Sequence, residues 1–354
     1  MMAIFMAAAT LACLFPLAGC SDSAGPDPAE EPTRIGSIPS DAVKMTPGTD
    51  HYPPVLHSSD YSAPIPMPGP VNTAGVEDAP VISPDGSTFV FFFTPDGNEP
   101  AENQVVDGVS GIWWCTWGGM EWTEPVRARL AEAGELHLDG SFALQADTLW
   151  FGSIRAGTYR DIDIFTAARS GDDWVDWQNA GARLNVDLAV GELYPTSDGD
   201  TIYFGRSEGG LGQNDLWLTV RTGQSWSDPV NLGSPVNTST DENRPVISPD
   251  GRELWFTRLS SSLGYSGPSV FRSIRAGGTW SAPEEVVSNY CGDPGIDAAG
   301  NLYFTHLFYD ENENKIEADI YVAYRNQDRF RARYSLDVYS PCVLFNGNQS
   351  QAVK

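Results

Sequence analysis

Lysine is almost missing from this chain of 354 residues; it occurs only at Lys44, Lys315 and Lys354. All basic residues together number 21 against 47 acidic ones, which leaves a formal net charge of −26. A surface of that sign repels nucleic acid and anionic lipid, so neither is expected as a partner. A high-salt habitat or a demand for solubility accounts for the charge equally well, and the charge names no substrate. Cysteine is scarce too. Cys13 and Cys20 fall in the first twenty residues, and Cys115, Cys291 and Cys342 remain, with no close Cys/His spacing of the kind that holds zinc. Cys115 is expected as a buried thiol, while Cys291 and Cys342 either pair in an oxidising compartment or stay free. No nucleophile elbow, phosphate loop or zinc-protease motif is found. Beyond the first twenty residues no convincing amphipathic helix pattern appears.

What is present is a tandem repeat. The phrase Val-Ile-Ser-Pro-Asp-Gly occurs at residues 81–86 and again at 246–251. Each unit opens on Glu-x-x-Pro or a remnant of it, runs through a short apolar stretch and a tight turn, and reaches an aromatic pair. Glu77, Glu135, Glu192 and Glu242 mark four openings, and Phe91, Phe151, Phe204, Phe256 and Phe304 are equivalent ends. Their spacing, roughly 50 to 60 residues, lies near that of propeller blades. Each aromatic pair precedes a third strand, and a fourth opens on an aromatic, often with proline two or three residues on, as in Trp122 to Pro125, Trp226 to Pro229 and Trp280 to Pro283. Proline lacks an N–H and belongs on the outermost strand of such a unit. The expected fold is therefore all-β: a β-propeller of four-stranded blades, five most economically and six as the alternative, because residues 341–347 faintly mimic a further inner strand. The stretch from Tyr61 to Thr73 matches the one from Trp226 to Thr238 and has no blade of its own, so it is expected to close the ring; the tail around residues 330–334 competes for that place.

The Ser-Pro-Asp-Gly turns followed by an aromatic strand resemble the WD40-like repeats of TolB-type periplasmic propellers over roughly residues 61–325. That resemblance implies fold, and propellers host unrelated activities. The segment 1–20 ends Leu17-Ala18-Gly19-Cys20 and resembles a bacterial lipobox, although no Lys or Arg precedes its apolar run. It implies acylation at Cys20; an ordinary signal peptide with a chance cysteine is the alternative. Ser21 follows, so the aspartate that favours inner-membrane retention is absent and an outer-membrane lipoprotein is expected. Residues 21–60, rich in Pro, Ser, Asp and Glu, read as a disordered tether, 61–340 as the propeller and 341–354 as a tail.

Repeat geometry sorts the loops by face. The long loops 94–111, 152–160, 205–214, 257–268 and 305–318 share one end with the starts of the inner strands, and binding residues favour variable loops on a rigid scaffold. Residues recurring from unit to unit, the four glutamates and Asp163, Asp215 and Asp319, are expected to cap strands. Those that break the repeat are the candidate binding set: Asp78, His137, Tyr194, Arg206, Arg244, Arg258, Asp293 and His306. Arginines opposite carboxylates suit a polar ligand bearing hydroxyls or carboxylates, or else they form structural pairs between blades. The run from Asp310 to Asn314 begins like a calcium loop but has Lys315 at the sixth position, so no EF-hand and at most a weak Ca²⁺ site is expected, with no other cofactor. Two functions remain open: a monomeric, non-catalytic envelope scaffold that docks a protein, peptide or glycan, and a glycosidase of the five-bladed arabinanase-like type working through channel-mouth carboxylates.

Overall fold

The turns are built from the side chains that the repeat supplies. In the computed structural model, which describes residues 32–326, the Asp85 carboxylate accepts from Ser83 Oγ at 2.6 Å and from the Ser87 N–H at 3.0 Å. Asp250 and Asp198 repeat this with Ser248 and Thr196. Gly86, Gly199, Gly251 and Gly300 close these turns with φ between 70° and 79°. That left-handed conformation admits glycine at no steric cost.

Each turn joins an inner strand to a second strand, and the pattern yields successive antiparallel units. The first comprises Val76–Ile82, Thr88–Thr94, Gly111–Thr116 and Val126–Arg127; the second His137–Gln145, Thr148–Arg155, Asp163–Ser170 and Asp173–Asn179. The third runs Leu193–Pro195, Thr201–Arg206 and Asp215–Thr222 to an outer edge of Ser225–Trp226 and Val230–Asn231. The fourth runs Asn243–Ile247, Glu253–Leu259 and Pro268–Ala276 to Thr279–Trp280 and Glu284–Ser288. In the fifth, Cys291–Ile296, Leu302–Tyr309 and Lys315–Ala323 are joined by Ile65–Pro66 from before the first unit. Every inner strand lies beside that of the next unit, and the fifth lies beside the first, so the described units close a ring. This is a β-propeller. The segment suspected of forming a further inner strand, residues 341–347, lies outside the described residues, as does the competing tail strand at 330–334.

The core sits between blades rather than within them. Phe91 packs with Tyr303 and Val322, Phe151 with Val90 and Trp114, Phe204 with Trp150 and Ile164, Phe256 with Tyr203 and Leu216, and Phe304 with Trp255. All five phenylalanines are fully buried, each contributing about 2 kcal/mol of apolar transfer. Where the outer strand carries a proline it breaks into two short pieces, as in the third and fourth blades; the second blade lacks that proline and keeps one strand, Asp173–Asn179.

Closure follows the sequence expectation. Ile65 and Pro66 pair with Val322 and Tyr321, and Tyr61 bridges to Arg325. Asn72 then clips the Ile320 backbone in both directions, as Asn237 clips Leu216 and Asn185 clips Ile164. The seam between the fourth and fifth blades is ionic. Arg325 grips both oxygens of Glu253 at 2.7 and 2.9 Å, and Arg272 reaches Asp60 and Glu284 at 2.8 Å each.

The tether reading of residues 21–60 does not describe residues 32–60. These lie on the propeller as a strap, with Arg34 and Met45 buried and Val55–Leu56 added to the outer edge of the fourth blade. Composition misled here because the segment is held by a few buried charges and not by a large apolar face.

Candidate functional site

A local irregularity shapes the channel. The inner strands of the first, second, fourth and fifth blades each slip register near their start, and at the slip Ala79, Ser141, Arg244 and Asp293 take φ between 46° and 55°. Such a bulge re-aims a side chain and costs strain that the surroundings must hold. Here the N–H of the slipped residue donates to the preceding blade: Ala79 to Thr305 Oγ1 at 3.0 Å, Asp293 to Thr257 Oγ1 at 2.8 Å, and Arg244 to Glu192 Oε2 at 3.0 Å. In the third blade Gly205 stands where the fourth and fifth have Thr257 and Thr305, so no hydroxyl is offered and the carboxylate of Glu192 accepts instead.

Four of the predicted site residues, Asp78, Tyr194, Arg244 and Asp293, meet at this level. Arg244 Nε lies 2.9 Å from Glu192 and 3.6 Å from Asp293. Asp293 is buried, and neither of its carboxylate oxygens has a hydrogen-bond partner of acceptable geometry. Burial raises its pKa well above the usual carboxylate range, against the pull of Arg244 and with the help of Asp78 beside it. Burial also pushes the Tyr194 phenol up to about 12. Tyr194, Arg244 and Asp293, with Glu192 and Ser141, line a cavity of about 30 Å³. That is room for one or two waters, far below the roughly 300 Å³ and more of small-molecule sites.

The other predicted residues do not join them. Arg258 stacks on Phe271 at 4.1 Å and faces Glu242 at 3.6 Å. Arg206 lies over Trp217 at 5.4 Å and faces Glu208 at 3.7 Å. His137 is bound to Asp139 at 2.6 Å. Although burial raises the Asp139 carboxyl, His137 and Arg155 hold it below its ordinary value. His306 is fully buried, with Nε2 2.9 Å from Asp50 Oδ2 and Nδ1 3.6 Å from Cys291 Sγ. Cys291 and Cys115 are buried free thiols, burial pushing Cys115 up to about 12; Cys342 lies outside the described residues, as does Cys20.

Glu77 and Glu242 are caps, each accepting from the backbone and hydroxyl of a threonine four residues earlier, Thr73 and Thr238. Asp163 and Asp215 cap the loops before them through the Tyr159, Arg160, Leu211 and Gly212 N–H groups. Glu135 is no counterpart: it is exposed, and Asp139, opposite Ser153, holds the position that Glu77 holds opposite Phe93. The second blade's hairpin turn is two residues shorter, so the counterpart stands nearer the phenylalanine, four residues after Glu135. Asp310 accepts from the Asn312 and Asn314 N–H groups and from Asn314 Nδ2, an ordinary self-capped turn.

On the face of the long loops, the second, third and fourth blades raise apolar tips into solvent: Tyr159, Leu211 and Leu263, the last wholly exposed.

No family model matches this chain, and no curated protein matches it in sequence. Among solved structures it is similar to a thermostable family-43 glycoside hydrolase, at 11% identity over 72% of this chain and 91% of the other, with a TM-score of 0.47. It is also similar to a TolB protein from Agrobacterium tumefaciens, at 14% identity over 72% and 92%, with a TM-score of 0.37. The propeller rests on the strand order described above, and these likenesses say nothing of activity.

Proposed function

We propose that this protein is a non-catalytic binding propeller of the bacterial envelope, anchored by lipid at Cys20 and docking another protein on its long-loop face. The observation that carries this reading is the set of apolar tips Tyr159, Leu211 and Leu263, raised by variable loops of three successive blades on a chain of net charge −26. Apolar anchors ringed by polar surface suit protein docking. The inner-strand glutamates support it from the other side, since buried Glu77 and Glu242 and half-buried Glu192 are already engaged by backbone N–H groups. A photo-crosslinking residue placed at Leu263 or Leu211 should trap discrete adducts in cells, and one at Met120 on the opposite face should not. Equal labelling from both faces would sink the reading.

One observation favours the glycosidase alternative: Asp293, buried beside Asp78 and Arg244, has the raised pKa of a general acid. The test is release of reducing ends from arabinan and related glycans. None is expected from the native chain; release that disappears in Asp293→Asn would establish the enzyme.

A further inference from the structure

The second, third and fourth blades carry an arginine at or near the top of their second strand, and the second strands of the first and fifth carry none. In the second blade Arg155 packs on Phe165 at 4.5 Å and binds Asp139 at 2.7 Å. In the fourth Arg258 does the same with Phe271 and Glu242, and in the third Arg206 lies over Trp217. The first blade has Phe93 where the fourth has Arg258, and the fifth has His306. There the strap supplies the cation. Arg34 reaches down to Glu77 at 3.4 Å, donates to the carbonyls of Val71 and Pro70, and lies over Phe91, Phe93 and Trp113 at 5.4–5.9 Å. Lys44 binds Glu317 at 3.1 Å and Asp319 at 2.5 Å, 6.0 Å from the Phe308 ring centre.

Between these two anchors the strap spans a hollow of about 500 Å³, bounded by its own Ile38 and Ala42 and by Asn72 to Ala74 of the propeller. From Arg34 to Asp50 no strap residue belongs to a propeller strand. Its hold is by side chains, with one backbone N–H, that of Met45, given to Glu317 at 2.6 Å. This is how a linear peptide sits on a domain, in pockets for single side chains, and not how a blade is built.

We infer that the acidic groove across the tops of the first and fifth blades is a recognition groove for a linear segment bearing two spaced cations, occupied in this state by the chain's own residues 34–50. The partner it fits carries an arginine and a lysine about as far apart as Arg34 and Lys44, with small apolar residues between. Glu77, Glu317 and Asp319 take the charges, and the rings of Phe91, Trp113 and Phe308 take the stems. Because the strap is tethered, its effective concentration holds off competitors, so a partner gains entry when the strap is weakened. This surface is separate from the apolar tips of the second to fourth blades, and the two readings fail independently.

The test is a fluorescent peptide of residues 32–50 added to the full mature chain and to its Arg34→Glu/Lys44→Glu variant. The variant should bind the peptide at least tenfold more tightly than the native chain, and a peptide bearing the same two reversals should not bind. Added salt should weaken the complex. Failure of the variant to take up the peptide, with hydrogen exchange showing the strap released and the blades intact, would overturn the inference. Should the variant not fold, a protease site inserted at 46–49 serves instead. After cleavage of the folded protein, exchange of the native strap for labelled peptide supports the groove, and unfolding on strap loss, or no exchange, refutes it.

Discussion

The fourth and first blades solve one problem with different parts. Both bury a glutamate at the head of the inner strand, Glu242 and Glu77, and both cap it with a threonine four residues earlier. In the fourth blade the neutralising arginine is on the adjacent strand, so charge and countercharge are parts of one sheet. In the first it arrives from a strap 43 residues upstream of Glu77. An ion pair within a sheet can break only when the sheet does, whereas a pair across a strap can open locally and let water reach the carboxylate.

The largest effect is expected at the seam that closes the ring, where nothing can open locally. Glu253→Ala strips both arms of Arg325 and one partner of Arg272, and breaking a buried pair from one side costs about 3–5 kcal/mol. Urea unfolding should show that loss with a single transition. The comparison itself is broken by two matched changes. Arg258→Met should cost about 2–3 kcal/mol of global stability by leaving Glu242 buried and unpaired. Arg34→Met should shift the global midpoint by less than about 1 kcal/mol while exposing residues 32–50 to protease and hydrogen exchange. Equal global losses would show the strap to be an integral part of the core.

A further effect sharpens the contrast through pH. Burial pushes Glu77 up to about 7, against the Thr73 hydrogen bonds and Arg34, and Glu317 up to about 7, against Lys44. A carboxyl whose folded pKa lies above its unfolded value favours folding most below the unfolded value, and that contribution is lost as pH rises through the folded one. Stability should therefore fall between pH 5 and pH 8, by on the order of 1–2 kcal/mol once screening at the half-open Lys44 is allowed for. Glu77→Gln should flatten part of that slope; a slope unchanged in the variant would place the titration elsewhere.

Much of the architecture could be read before any coordinate. The turn glycines, the five buried phenylalanines, the proline-broken outer strands and the orphan strand at 61–66 each follow from a local rule applied at a fixed period. The site was half legible. Asp78, Tyr194, Arg244 and Asp293 break the repeat and converge on the channel, since repeat position maps directly onto radial position in a ring. Arg206, Arg258 and His306 break it too, but they serve ring stacking and burial within their own blades, a distinction that depends on which face a strand end presents.

What the residues alone determined is everything local and periodic: where the chain turns, which side chains point inward, which strand lacks a blade. Tertiary structure decided what depends on distant partners. Only in the folded ring does Gly205 leave Glu192 to satisfy Arg244, and only there do Arg34 and Lys44 meet the carboxylates of blades whose second strands carry no arginine. A pairing between distant elements leaves no period in the sequence, because its energy comes from removing both charges from water together.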